Sequence, residues 1–484
     1  MRPVISGVGL VLHVPALMAL ASVVVCLVFQ EFLAVAAFLV TALVAGILGQ
    51  ALFRTRYAGM EVAQHHAMLV AAISWLAVSL LGALPFLLIA RMFPADDIIG
   101  VFRAPENALF ESLSGFTATG LTMVNNASAL PPSLQWWRSF SEWVGGVGVI
   151  VLMLSVLPPG RDALHLYYSE ARGQKILPSI QSTTKAIWSV YILYTLAGIV
   201  LLWLTGEPLW RAINHGMTAI ATGGFTITDD SLASAPAGAE LVYLFIMVLG
   251  AISFLLHYRL VWRRGVRTSA MGDAELHLFL VMLALGSGLL LLEARRSESA
   301  GLQPIFHWVS ALTTTGFQTA PLDRVTAPLM VLFIVAMTAG AMAGSTGGGI
   351  KQLRVLYILK GVGWWLKGML GRPHQVMRYR LDDATLSKAE AETRVEAASV
   401  LMATWLVVLF LEIFVLLHVV PEDTRFEQVV FEVASAQGNV GLSTGLTHSH
   451  LPLTGKLVLM AAMWMGRLEI VPVLVLIFQV WARR

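Results

Sequence analysis

The sequence contains little charge and a single cysteine. Of its 484 residues only 13% are charged, 57% are hydrophobic, and Cys26 lies within an apolar run. One cysteine excludes an intrachain disulfide framework and a CxxC metal site. The low charge excludes a soluble protein, because soluble domains carry roughly 25% charged residues. The composition therefore predicts a polytopic membrane protein.

Ten stretches are apolar and long enough to cross a bilayer, which takes roughly 20 residues of helix. They lie at 8–28, 33–53, 66–92, 136–157, 186–205, 239–262, 274–293, 326–357, 397–419 and 455–482. We therefore expect an all-α polytopic membrane protein without a large soluble domain. Arg and Lys are more frequent in the links on the side of the N-terminus than in those opposite, which favours two cytoplasmic termini.

Four segments of the chain resemble one another. They read FESLSGFTATGLT at 110–122, INHGMTAIATGGF at 213–225, FHWVSALTTTGFQ at 306–318 and FEVASAQGNVGLS at 431–443. Aligned without a gap, they bring into register the glycines Gly120, Gly223, Gly316 and Gly441. A single copy would suit an outer loop rich in turn-forming residues. Four copies between apolar stretches favour segments that enter the membrane and return on the same side.

Four re-entrant segments imply a shared water-filled axis. Irregular backbone at membrane depth leaves amide groups unsatisfied, unless it is buried in protein or lines an aqueous path. Main-chain carbonyls that face such an axis can replace the water around a cation. Successive carbonyls face one axis only if alternate residues adopt left-handed dihedrals, which glycine does most easily. The sequence therefore predicts a cation filter at the four aligned glycines.

Carboxylates near these segments are candidates for an acidic vestibule, which would raise the local concentration of cations. They are Glu111, Asp229, Asp230, Asp323 and Glu432. Each would also be explained as a solvated loop carboxylate.

The eighth apolar stretch is interrupted by glycine. The run AGAMAGSTGGG at 339–349 has five glycines in eleven positions, and each costs a helix about 1 kcal/mol relative to alanine. We therefore expect a loop within this stretch. The run from Gly344 to Lys351 superficially suggests a phosphate-binding loop. That interpretation fails, because the lysine follows Ile350 and no Ser or Thr comes after it.

Lys351 lies within the eighth apolar stretch, and another basic residue, Arg467, lies within the last. A charged residue is costly there and usually faces a cavity or a partner. Arg467 is therefore a candidate functional residue, although an ion pair with Glu469 or another carboxylate would also explain it.

These motifs resemble the Trk/Ktr/HKT superfamily of potassium transporters, and within it the bacterial TrkH type. The resemblance covers the whole chain. Besides the four segments, it is carried by QWWRSFSEWVGGVGVIV at 135–151, AGSTGGGIKQLRV at 343–355, GNVGLSTG at 438–445 and MGRLEIVPVLVL at 465–476. It implies two leading helices and four pseudo-fourfold M1-P-M2 units (helix, re-entrant pore segment, helix) around a central pore. The implied divisions are 1–60, 61–165, 166–265, 266–395 and 396–484.

The resemblance also implies which residues act on the ion. Potassium would be bound by the main-chain carbonyls of Ala118, Thr119, Gly120, Ala221, Thr222, Gly223, Thr314, Thr315, Gly316, Asn439, Val440 and Gly441. The second copy departs most, with Ile220 where the first and third have Thr117 and Thr313. A gate beneath the filter would consist of Gly344, Ser345, Thr346, Gly347, Gly348, Gly349 and Lys351, with Arg467 facing this loop and holding it closed.

The implied function is K⁺ uptake across a bacterial inner membrane, with K⁺ as the transported ion. The resemblance adds a homodimer that rests on a cytosolic TrkA-type regulatory ring, which binds ATP or NAD(H). We expect no nucleotide on this chain itself and no nucleic-acid partner. We also expect no enzyme activity, because carboxylates and histidines do not cluster at membrane depth. A K⁺ symporter coupled to H⁺ or Na⁺ on the same fold is the alternative.

Overall fold

The computed structural model describes residues 2–55, 63–93, 96–148, 180–262, 272–296, 303–323, 325–371, 377–381 and 384–482. Within these ranges, six helices are long and apolar enough to cross a membrane, and two bent helix pairs bring the number to eight if each pair is one span. Their outer faces expose large apolar side chains, for example Leu204 at 70% and Phe410 at 66%. Such exposure is expected of a surface in contact with lipid. The only strands of the described part form a hairpin of β1 (Tyr379–Leu381) and β2 (Ala384–Leu386).

The leading part of the chain is a helical hairpin. α1 (Arg2–Val11) and α2 (His13–Val28) form one span, and α3 (Phe32–Phe53) returns along it. Gly9 permits the close approach of α1 and α3, because a Cβ atom there would lie 2.8 Å from the carbonyl oxygen of Gly49. Small residues at such crossings are common in membrane helices, where close backbone packing drives association.

Four copies of one arrangement follow, which confirms the predicted fold class. Each copy has a long first helix: α4 (Gln64–Met92), α8 (Ile180–Leu204), α12 (Ala274–Arg296) and α16 (Lys388–Leu417). A short helix follows: α6 (Pro105–Phe116), α9 (Leu209–Ile220), α13 (Gln303–Leu312) and α17 (Phe426–Gln437). Each copy continues with a closing helix: α7 (Pro132–Val147), α10 (Ala239–Ala251), α14 (Ala327–Ala339) and α18 (Leu453–Arg467). The first copy also contains α5 (Asp97–Gly100) and the 3₁₀ turns Val101–Arg103 and Ala127–Ala129.

The four units close into a ring. The closing helix of each unit packs against the short helix of the next: α7 against α9, α10 against α13, α14 against α17, and α18 back against α6. This cyclic contact surrounds the ends of the short helices with protein on all sides. The short helices can therefore end inside the membrane without exposing unsatisfied backbone to lipid.

Three closing helices continue after a break, into α11 (Phe254–Trp262), α15 (Gln352–Leu370) and α19 (Val471–Trp481). α10 meets α11 at 102° and α18 meets α19 at 112°. The sequence predicted spans at 239–262 and 455–482 but not the break that bends each of them. The physical reason is tertiary at the first break, where the loop between α14 and α15 supplies hydrogen-bond partners to Ala251 and Phe254.

The second break has a local cause. Glu469 and Ile470 adopt left-handed φ values of 53° and 68°, a conformation that ends a right-handed helix. Hydropathy did not reveal it, because Ile470 and the residues after it are apolar and read as a continuation of the span. The predicted interruption of the eighth stretch is present, since α14 ends at Ala339 and α15 begins at Gln352.

The predicted division at 395/396 falls inside α16. This helix begins earlier because Ser387 caps it: its hydroxyl oxygen accepts the Glu390 N–H, and the Glu390 carboxylate accepts the Ser387 N–H. This capping box satisfies two donors that a helix start otherwise leaves free. The fourth unit thus begins at Lys388. The predicted divisions at 60/61, 165/166 and 265/266, and residues 149–157 of the fourth apolar stretch, lie outside the described residues.

Candidate ion filter and the loop beneath it

The residues that follow each short helix share one backbone pattern. The first residue of the pattern has a φ of 50° to 56°: Ala118, Thr222, Thr314 and Asn439. Two residues later comes a glycine with a φ of 85° to 89°: Gly120, Gly224, Gly316 and Gly441. The amide between them donates to a carbonyl five residues earlier, at 2.8 to 3.0 Å in every copy. All four chain segments thus adopt one conformation.

In the second copy this pattern corrects the gapless alignment by one residue. The segment is Thr222, Gly223 and Gly224, so Gly223 is the middle residue and Ala221 precedes the segment. The predicted coincidence of Gly223 with Gly120 is therefore wrong. In the corrected register Ala221, and not Ile220, is equivalent to Thr117 and Thr313. The second copy therefore still lacks the hydroxyl that the first and third copies have at this position.

A buried carboxylate explains why the middle residue of the second copy is glycine. A Cβ atom on Gly223 would lie 2.6 Å from the carboxyl carbon of Glu142, on α7. The Glu142 carboxylate accepts the Phe225 N–H at 3.0 and 3.2 Å. It thus occupies the space into which Thr119 or Thr315 projects in the first and third copies. Adjacent glycines made the register ambiguous in the sequence, and Glu142 resolves it.

The four segments touch in a closed ring. A Cβ atom on the left-handed glycine of each copy would lie under 3.0 Å from a carbonyl oxygen of the next copy, closer than real Cβ atoms come. The pairs are Gly120 with Gly223, Gly224 with Thr315, Gly316 with Val440, and Gly441 with Thr119. The middle carbonyls of all four copies therefore lie at one level of one axis. Such a ring of main-chain oxygens can bind a dehydrated cation, and the negative ends of the four short helices beside it favour one.

On one side of this ring is a cavity of about 160 Å³, lined among others by Gly120, Gly441, Gln318 and Asp229. Of the carboxylates predicted for an acidic vestibule, only Asp229 lines this cavity. Its oxygens accept the N–H and hydroxyl of Ser128 at 2.9 and 2.6 Å. Asp230 and Asp323 are exposed, and Glu111 and Glu432 are buried. The prediction of a five-carboxylate vestibule is therefore wrong, because two members are enclosed behind the segments.

On the other side of the ring, the loop between α14 and α15 closes against the segments. Gly348 donates its N–H to the Thr314 hydroxyl at 2.7 Å, and Gly349 donates to the carbonyl of Gly438 at 3.0 Å. The Thr222 hydroxyl donates to the Thr346 hydroxyl at 3.1 Å. A Cβ atom on Gly348 would overlap the Gly438 carbonyl oxygen. The glycines of this loop thus permit its close approach to three of the four copies.

Two basic residues hold the loop in this position. The Arg467 guanidinium donates to the carbonyls of Thr346 at 3.0 Å and of Gly146 at 2.9 Å, and also to that of Gly145. Lys351 donates its ammonium to the carbonyl of Gly347. Arg467 therefore joins the loop to the C-terminal end of α7, whose carbonyls carry partial negative charge. A cavity of about 30 Å³ remains beside these groups, with room for about one or two water molecules.

The alternative role predicted for Arg467 was an ion pair with Glu469 or another carboxylate. Among the described residues, Glu469 is not that partner. Glu469 pairs with Arg354, on α15. Glu469, at the break between α18 and α19, thus pairs with the helix that follows the loop. Arg467 contacts the middle of the loop, at Thr346.

Comparison with known proteins gives this arrangement a family. The family described as "TrkH: Cation transport protein" matches residues 33–481. The chain belongs to the TrkH family. It is 35% identical to a protein of Methanocaldococcus jannaschii described as an uncharacterized cation transporter, over 85% of this chain and 82% of that one. It is 29% identical to the Trk system potassium uptake protein TrkH of Halomonas elongata, with 98% of each chain covered.

Among solved structures, the crystal structure of the potassium transporter TrkH from Vibrio parahaemolyticus matches with a TM-score of 0.84 at 27% identity. The match covers 98% of both chains. As a member of the TrkH family, this chain is a multi-pass helical membrane protein and a cation transporter.

Sequence reasoning missed several polar residues of this TrkH-family site. Glu275, at the start of α12, accepts the loop N–H of Ala343 at 2.6 Å, so a second side chain anchors the loop. Glu142 was also missed, although it lies in an apolar stretch and the rule that singled out Arg467 applies to it equally. Arg138, which pairs with Glu111 at 2.7 Å, lies in the same stretch. A systematic search for charge within apolar stretches would have found both.

Proposed function

We propose that this chain takes up K⁺ across a bacterial inner membrane through a channel-like central pore. The ring of four glycines, each against the middle carbonyl of the next copy, is the observation that carries the proposal. The closest contacts of these glycines are main-chain atoms of the next copy, which suits a site that replaces the hydration shell of a cation. Two relatives, one described as a potassium uptake protein TrkH and one as the potassium transporter TrkH, support K⁺ as the ion.

The proposed potassium ligands are the carbonyl oxygens of three residues per copy, with the second copy in its corrected register. They are Ala118, Thr119 and Gly120; Thr222, Gly223 and Gly224; Thr314, Thr315 and Gly316; and Asn439, Val440 and Gly441. Each copy has a short left-handed turn in place of the longer TVGYG run of tetrameric K⁺ channels. Fewer rings of carbonyls imply a looser discrimination between K⁺ and Na⁺.

The loop between α14 and α15 is the proposed gate. Its contacts with Thr314 and Gly438, and the bond from Arg467 to its Thr346 carbonyl, place main-chain atoms and two basic side chains directly beneath the ring. An ion leaving the filter on this side would meet the positive charges of Arg467 and Lys351. Conduction therefore requires the loop to move. The hydrogen bond that Arg467 donates to Thr346 and the one that Glu275 accepts from Ala343 oppose that movement.

Regulation and assembly complete the proposal. The chain would act as a homodimer in the lipid bilayer, with both termini cytoplasmic, controlled by a TrkA-type ring that binds ATP or NAD(H). The nucleotide would bind the ring and not this chain. Membership in the TrkH family supports this arrangement. The proposed function is transport, with no enzymatic step and no nucleic-acid partner.

Flux measurements in liposomes test the proposal. The purified chain, reconstituted with and without its regulatory ring and nucleotide, should take up rubidium down its gradient, and K⁺ should compete more strongly than Na⁺. Uptake should need no co-ion. A strict requirement for H⁺ or Na⁺, or accumulation of rubidium against its own gradient, would assign coupled symport in place of a channel.

A further inference from the structure

Each short helix carries one buried acceptor side chain at the same position, nine residues before its left-handed glycine. The four are Glu111, His215, His307 and Glu432, and none is more than 4% exposed. Each accepts a hydrogen bond from the main-chain N–H twelve residues later. The bonds are Met123 to Glu111 at 2.8 Å, Ile227 to His215 at 3.1 Å, Thr319 to His307 at 3.1 Å and Thr444 to Glu432 at 3.1 Å.

The donors occupy equivalent places in the four units. Each is the third residue after the left-handed glycine, where the chain leaves the ring on the side of the 160 Å³ cavity. The backbone there is neither helix nor strand, so no regular ladder satisfies these amides. A buried N–H without an acceptor costs free energy comparable to a lost hydrogen bond. The four side chains therefore fix where the outer end of each segment lies.

Unlike chemical groups make this same bond. Two of the acceptors are carboxylates and two are imidazoles, and both imidazoles accept through Nε2. An Nε2 that accepts an N–H carries no proton, so these two rings are neutral with the proton on Nδ1. What the four residues share is an acceptor at one place and not a charge. A purely electrostatic role would require one sign of charge in all units.

The surroundings of the four acceptors differ in the number of partners. Glu111 is also bound by Arg138 at 2.7 Å and the Thr122 hydroxyl at 2.8 Å. Glu432 accepts in addition the Ser443 hydroxyl at 2.7 Å and the Thr447 N–H at 3.0 Å.

The two histidines have simpler surroundings. His215 bonds the Tyr243 hydroxyl at 2.9 Å through Nδ1. His307 makes the bond to Thr319 with its Nε2 and packs among aromatic rings, including that of Phe333. His307 is therefore the position where the acceptor can be changed with least disturbance of other bonds.

We propose that Glu111, His215, His307 and Glu432 are positioning residues that set the ion selectivity of the ring, each through the N–H that it accepts. The inference rests on the proposed function of the ring as a K⁺ filter. It deepens that function, because it assigns selectivity to side chains that do not touch the ion. The carbonyls of the ring keep their spacing only while the outer end of every segment is held.

The test compares two variants of one residue. His307→Gln keeps an acceptor near the place of Nε2, whereas His307→Leu keeps a similar bulk without one. The reconstituted full-length chain is assayed for the ratio of K⁺ to Na⁺ permeability and for its melting temperature. We expect the ratio to fall on the order of tenfold in His307→Leu and to stay near that of the wild type in His307→Gln. A fold-only role would change the melting temperature without this split in selectivity.

Measurement of the wild type distinguishes a failure of the proposed function from a failure of the positioning role. If the wild type itself does not prefer K⁺ over Na⁺, the proposed function fails. If it does, and His307→Leu has the same ratio, the positioning role is overturned. Where His307→Leu does not fold, the same comparison uses Glu432→Leu, which removes both acceptor oxygens at similar bulk, against Glu432→Gln, which keeps one amide oxygen as an acceptor. Misfolding of both leucine variants beside a folded His307→Gln would assign these residues to folding alone, and would also overturn the inference.

Discussion

Substitution of Arg467 by alanine tests the proposed gate most directly. In the structure its guanidinium joins three carbonyls, one on the loop at Thr346 and two at the end of α7, at Gly145 and Gly146. It also lies 5.5 Å from the ring centre of Trp75. Arg467→Ala removes all of these contacts at once and leaves a cavity beneath the ring. The other contacts of the loop, from Gly348 and Gly349, remain.

The size of the effect follows from the one bond that reaches the loop. A hydrogen bond to a charged group contributes about 1.5–3 kcal/mol. Among the described residues, the bond to Thr346 is the one that connects Arg467 to the loop, since the bonds to Gly145 and Gly146 reach α7. Losing this bond should raise the ratio of open to closed loop roughly 10-fold to 100-fold. Where the closed state dominates, K⁺ flux rises by the same factor.

The assay is rubidium uptake by the reconstituted chain alone. Arg467→Ala should show raised uptake at an unchanged amount of folded protein, measured by size-exclusion chromatography. Arg467→Lys is the matched control, since it keeps the charge but cannot reproduce the planar fork of the guanidinium. An intermediate rise in Arg467→Lys is expected if geometry holds the loop, and no rise if charge alone blocks the ion. Unchanged uptake in Arg467→Ala, with normal folding, would refute the gating role.

Three further predictions concern the ring and its supports. Gly316→Ala should abolish K⁺-selective flux, because its Cβ would overlap a carbonyl of the next copy. Gly238→Ala is the control, because Gly238 has a similar φ of 85° but open space around it. Equal K⁺ selectivity of the two variants would contradict the proposed ring of main-chain oxygens. Gly223→Ala should be inactive alone and partly restored by Glu142→Ala, which removes the clashing carboxyl; without restoration the corrected register loses its support. Glu275→Leu should raise rubidium uptake by the chain alone roughly tenfold. Normal uptake at an unchanged melting temperature would contradict the role of Glu275 as an anchor of the loop.

The filter segments show how far repetition within one sequence can be trusted. Gly120, Gly316 and Gly441 were correctly aligned, because in these copies a single glycine ends the segment. In the second copy Gly223 and Gly224 are both able to adopt a left-handed φ, so sequence identity alone did not distinguish them. The residue nine positions earlier is Asn214 in one register and His215 in the other, and both are polar, so only the structure shows that His215 is the acceptor.

The helix breaks show a second limit of the same kind. Five glycines revealed the loop between α14 and α15, since their cost to a helix is local. The break after Ala251 lies in an apolar run without such a signal, and it exists because Met342 and Gly344 of the loop exchange hydrogen bonds with Ala251 and Phe254. Hydropathy reports how readily a segment enters lipid, but not whether another segment competes for its amides.

The sequence by itself determined the membrane class, the four copies, the loop in the eighth stretch and the suspicion that Arg467 is functional. These follow from hydropathy, residue type and the local cost of glycine or charge, all of which can be read within a short window. Only the tertiary structure decided which glycine of the second copy enters the ring, where α10 and α18 break, and which carboxylates are enclosed. Each of these depends on space and hydrogen bonds shared by residues far apart in the chain, such as Gly223 and Glu142, and local sequence contains no record of that contact.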